Sequence, residues 1–185
     1  MKNLKRLLLT MTVLCMALLG CTSSDVLPPV VLTKDITQEV PVAVTANANG
    51  ECLDYTETST LNLRSNSTID DYFSVLENIK FNSITWEITN YVGDDGVYIN
   101  SGSLNFGTTS FEIGEVDLKA ADAANQTYYT LDTAKLEAIS TAIFSTGSIT
   151  VTLDASSGGN CDNDFSYTLK LTANVDVTIG REDFE

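Results

Sequence analysis

From Phe165 to Ile179, apolar and polar residues alternate without a break. Phe165, Tyr167, Leu169, Leu171, Ala173, Val175, Val177 and Ile179 take every odd position. Ser166, Thr168, Lys170, Thr172, Asn174, Asp176 and Thr178 take every even one. A helix would spread such a pattern around its circumference. An extended strand gathers it into one apolar and one wet face. A strand this long cannot bury its apolar face alone, so the chain must supply a second layer to cover it.

Shorter segments repeat the alternation. Ile36, Val40, Val42 and Val44 share one parity, with Pro41 among them marking an edge or a bulge. Leu53, Tyr55, Leu61 and Leu63 form a second set, and Ile84, Trp86 and Ile88 a third. Val97 and Ile99 change parity with Leu104 and Phe106 across Gly102, which reads as a bulge. Phe111 and Ile113 are followed by Val116 and Leu118 across Gly114, and Ile149, Val151 and Leu153 close the series. The pattern predicts a mainly β chain: an antiparallel β-sandwich of about seven strands, immunoglobulin-like in general architecture.

Two segments depart from period two. Over 68–80, Ile69, Tyr72, Phe73, Leu76 and Ile79 fall on one helical stripe, with Ser67 as cap. Over 133–146, Leu136, Ile139 and Ile143 do the same, with Asp132 or Thr133 at the start and Gly147 as the stop. Two short helices are therefore expected beside the sheets.

The N-terminus reads as an address. Lys2, Lys5 and Arg6 precede an apolar run from Leu7 to Leu19, too short for a comfortable membrane span. The following Leu18-Leu19-Gly20-Cys21 resembles the lipobox of bacterial lipoprotein precursors. That resemblance implies a signal peptide over 1–20, lipid on Cys21, and a chain held to a membrane through that lipid. Residues 21–34, with Pro28-Pro29, read as a lipidated tether, and 35–185 as one β-sandwich domain. The acidic, Thr- and Asn-rich domain behind such a signal resembles Bacteroidota envelope lipoproteins. The location this implies is the cell envelope, at the outer membrane.

Cysteine usage agrees with that compartment. Cys15 falls in the signal and Cys21 takes lipid, which leaves Cys52 and Cys161. Two remaining cysteines in an oxidising compartment predict one disulfide. It would close more than half the chain, worth roughly 4–5 kcal/mol in the chain-entropy view. A metal or redox pair is the alternative, with neither Cys-x-x-Cys spacing nor histidine to support it.

The chain has 185 residues, 25 acidic and 10 basic side chains, no histidine and a net charge of −15. Missing histidine excludes Ser-His-Asp and Cys-His catalysis and histidine-ligated metals. The acidity argues against nucleic acid as a partner. Four candidate sites remain. Asp154, Asp162 and Asp164, read as one loop with Asn160 and Asn163, offer oxygens to a calcium ion; a turn needs the same residues. No other cofactor is expected. Paired carboxylates would suit a carbohydrate-active hydrolase, and Glu87 is the most notable acid, though its parity points outward. Tyr98, Tyr128 and Tyr129 are candidates for stacking on a sugar or peptide, whereas Trp86 is in phase with the core. Asp132-Thr133-Ala134 resembles the acceptor motif of Bacteroidota O-glycosylation at Thr133, and equally makes a helix start.

These readings converge on a membrane-anchored envelope lipoprotein, a non-catalytic binding or structural module rather than an enzyme. Its expected partners, beyond the membrane, are a glycan or an envelope protein. A fimbrial or adhesin-type surface subunit is the alternative from another class, and a hydrolase the third.

Overall fold

A computed structural model describes residues 29–180. The signal over 1–20, Cys21 and the first part of the tether lie outside the described residues. Among the described residues, nine strands form two antiparallel sheets that face each other across an apolar core. In the first sheet, β1 (Val30–Val44), β9 (Phe165–Ile179), β3 (Leu76–Val92) and β7 (Thr127–Thr130) lie side by side in that order. In the second, β2 (Asp54–Asn62), β8 (Ser148–Gly159), β4 (Val97–Phe106) and β5 (Thr109–Ile113) follow one another, with β6 (Val116–Asp117) also on β4. The described residues also form three α-helices: α1 (Ser67–Tyr72), α2 (Leu118–Ala124) and α3 (Thr133–Phe144).

β9 is the spine. It pairs with β1 along its whole length, from Val30 opposite Ile179 to Val44 opposite Phe165, and with β3 on its other side. Every odd residue of β9 is buried and every even one half-buried, as the alternation requires. β1 starts at Val30, inside the segment read as tether, because Val30 and Leu32 continue the parity of Ile36 against Ile179 and Val177. Pro41 is tolerated because β1 is an edge strand.

At one end of the sandwich the predicted disulfide between Cys52 and Cys161, with Cα atoms 5.2 Å apart, ties the connection leading into β2 to the connection leaving β8, its neighbour in the second sheet. In the core between the sheets, the Tyr55 and Tyr167 hydroxyls share a hydrogen bond of 2.9 Å. Burial pushes the Tyr55 phenol up to about 12, and the more deeply buried Tyr167 also upward. The pair satisfies two polar groups that would otherwise be costly inside a sandwich.

Several elements differ from the sequence reading. The helix expected over 68–80 ends at Tyr72, and a 3-10 turn over Phe73–Val75 leads directly into β3. Its cap is Asn66, whose side chain accepts from the Thr68 and Ile69 N–H groups at 3.1 and 3.4 Å. Leu76 and Ile79 belong to the strand, where Ile79 and Phe81 are both buried. Asp94-Asp95-Gly96, residues that suit the tight turn of a hairpin, instead join β3 to β4 in the opposite sheet. Leu118 starts α2 in place of a strand, with Asp117 accepting from the Ala120 N–H at 2.9 Å and Asn125 closing the helix at a φ of 48°. α3 follows expectation: Asp132 caps it, and Gly147 ends it with φ 74° and an N–H bonded to the Ile143 carbonyl.

Candidate functional site

Where β7 stops, α3 takes over. β7 pairs with β3 only from Ile84 to Glu87. After Thr130 the chain turns into α3, which packs along the remaining edge of β3. Leu136, Ile139 and Ile143 carry the helix into the core. Ser140 lies on the same buried stripe, and a serine there needs partners. Its Oγ donates to the Leu136 carbonyl at 2.8 Å and accepts from the Phe81 N–H at 2.9 Å. One helical hydroxyl thus stands in for the strand that would otherwise have met Phe81.

A cleft of about 400 Å³ opens between this helix and the β3 edge. Asn78, Ile79, Lys80 and Phe81 form one wall; Thr133, Glu137, Ser140, Thr141 and Phe144 form the other. The helix residues fall at spacings of three and four and so share one face. Phe144, 41% exposed, stands at one end. Near the other, Tyr129 and Leu131 are 69% and 65% exposed on the segment leading into α3. These are three of the five large apolar side chains left exposed among the described residues. The combination of an apolar floor, a few polar groups and the exposed Phe144 ring at the rim suits binding.

The sequence-derived candidates distribute themselves differently. Tyr128 and Tyr129 are neighbours on β7 and point to opposite faces. Tyr128 turns inward and stacks on Trp86, with ring centroids 4.0 Å apart and planes 9° from parallel. Tyr129 turns out to solvent. Tyr98 lies on the other sheet, half-buried over Gly158 and Gly159. Gly159 has φ 82°, and a Cβ there would collide with the Gly96 carbonyl and the Tyr98 ring. The three tyrosines therefore make no common surface.

The calcium loop is also divided. β8 continues through Asp154 to Gly159 because Ala155 and Ser157 keep the buried parity. Asp154 sits on the outer face of the strand, accepting from Thr56 Oγ1 at 2.7 Å and Asn105 Nδ2 at 2.8 Å. Asp162 and Asp164 lie beyond the strand, in the connection to β9, where Asp164 accepts from the Ala46 N–H at 2.8 Å. Among the described residues no three acids or cysteines converge on a metal position.

Glu87 faces outward and pairs with Lys170 at 2.6 Å. The lysine is held above its usual range, first by that hydrogen bond and then by the carboxylate's charge. Thr133 is exposed in the first turn of α3 and lines the cleft. The rest of the cleft escaped the sequence reading. Its two walls lie far apart along the chain, and only Ser140 on a buried helical stripe could have pointed there.

No family model matches the chain, and no curated protein matches it. Among solved structures it is similar to the decameric BFDV capsid protein, at 12% identity over 80% of this chain and 99% of that one, with a TM-score of 0.47. It is also similar to the same capsid protein as a 60-mer, at 14% identity over 86% and 98%, with a TM-score of 0.41. A third similarity is to Desmodium yellow mottle tymovirus, at 11% identity over 85% and 89%, with a TM-score of 0.30. Likeness at this level bears on neither activity nor partner.

Proposed function

We propose that the protein is an envelope lipoprotein whose β-sandwich is a non-catalytic binding module, held to a membrane through lipid on Cys21. The observation that carries the location is Leu18-Leu19-Gly20-Cys21 behind a basic and then apolar leader. The Cys52–Cys161 disulfide agrees with an oxidising compartment. The cleft between β3 and α3 supports the binding reading. Its lining offers a single carboxylate, Glu137, whereas acid–base hydrolysis of a glycoside works with two. With no histidine in the chain, catalysis by the familiar nucleophile–base pairs has no base.

The location is tested by expressing the full chain in a bacterial host with a palmitate analogue. The wild type should be labelled and found in the membrane fraction. Cys21→Ala should be unlabelled and retain its leader. Equal labelling of the two proteins would refute the assignment.

A further inference from the structure

We propose that the cleft binds an extended peptide segment of a partner protein, pairing its backbone with the part of the β3 edge that α3 leaves open at Ile79. The proposal rests on the reading of the domain as a binding module and names its ligand class.

The argument starts from the backbone. In an antiparallel ladder, successive residues turn their N–H and C=O groups alternately to one neighbour and the other. The Phe81 N–H points away from β9 and reaches Ser140. Lys80, opposite Asp176, therefore bonds to β9, and Ile79 again turns its N–H and C=O toward the α3 side. Beyond the irregularity between Phe81 and Ser83, Ile84 and Trp86 face β7 on that same side. The main-chain groups that β7 satisfies thus continue in line into the cleft at Ile79, where no strand among the described residues meets them.

Open backbone groups along a sheet edge select for another backbone, and a sugar or a small apolar molecule would leave their directionality unused. The dimensions agree. The β3 wall from Asn78 to Phe81 spans about 10 Å, enough to pair a short extended segment of about three or four residues centred on Ile79. Alternate side chains of such a segment would meet the apolar floor beside Phe144 and the polar rim of Lys80, Glu137 and Thr141. The sequence blunts this edge with Lys80 and the helix itself, as exposed edges must be, yet does not fill it.

The test is to pan a random heptapeptide phage library on the purified full-length protein, then synthesise the enriched peptide. Bound peptide should slow amide exchange at Ile79 by about tenfold or more while leaving Lys80, already bonded to β9, little changed. N-methylation of alternate peptide nitrogens should weaken binding about tenfold, the worth of one hydrogen bond. Thr141→Trp should abolish binding by filling the cleft, and Thr168→Trp, on the outer face of β9, should not. Binding that leaves Ile79 exchange unchanged, or that survives N-methylation at every alternate position, would overturn the proposal. So would a library that yields no binder. In that case an oligosaccharide array separates the two readings: a glycan seated in the cleft overturns the peptide and keeps the binding module, and failure of both libraries removes the module as well.

Discussion

Tyr167 is buried and Tyr55 half-buried beside it, and the hydrogen bond their phenols share joins β2 to β9 across the core. Their raised pKa values make a statement about stability. A group whose folded value exceeds its unfolded value of about 10 stabilises fully below pH 10, and that contribution is lost as pH climbs toward the folded value. For Tyr55 the folded value is about 12, so the window opens near pH 10 and closes near 12. Two units correspond to about 3 kcal/mol. Urea denaturation followed from pH 8 to 12 should show stability falling over this range in the wild type. In Tyr55→Phe the alkaline fall should be smaller, with some stability lost at neutral pH because Tyr167 is left without its partner. Identical pH profiles for the two proteins would mean that both phenols reach solvent.

At the level of elements, α3 and β3 show what a pattern can and cannot convey. β9 was legible because strict alternation has one structural solution when one face is buried. The 68–80 stripe was ambiguous: Ile69, Tyr72, Phe73, Leu76 and Ile79 fit helical spacing, but Ile79 also fits the parity of Phe81 in β3, and the longer pairing with β9 prevails. β7 was invisible because adjacent Tyr128 and Tyr129 break alternation, the first being kept inside by Trp86. α2 went unread because its alanines form too thin an apolar stripe. The cleft is harder still, since it exists only where α3 fails to complete a sheet. Ser140 is the residue that makes this junction work. Ser140→Ala should cost about 1–3 kcal/mol by stranding the buried Phe81 N–H, although alanine is the better helix former. Chemical denaturation measures it; an unchanged midpoint would mean that water entering the cleft replaces the hydroxyl.

Over the whole molecule, β1 runs from one end of the sandwich to the other. Val30 enters opposite Ile179, and Val44 ends opposite Phe165, about 50 Å away for a strand of this length. Val31 to Lys34 pair with the same β9 residues that flank the cleft wall of β3, so the cleft lies toward the end where the chain enters. A lipid on Cys21 would keep that end near the bilayer and turn the disulfide outward. The disulfide end depends on a single covalent tie. Cys161 is buried and Cys52 exposed, and the bond closes a separation of 109 residues. In the chain-entropy view it contributes roughly 4–5 kcal/mol, which for a domain of this size lowers the melting temperature by roughly 10 °C or more when removed. The double variant Cys52→Ala, Cys161→Ala should therefore melt well below the oxidised wild type and close to the wild type kept in reductant. Because the cleft lies toward the opposite end, peptide binding at 20 °C should survive the loss. Equal melting of oxidised and reduced protein would show that the strands around Leu53 and Ser157, joined by the Ser157 hydroxyl and backbone bonds at 2.8–2.9 Å, hold this end without the bridge.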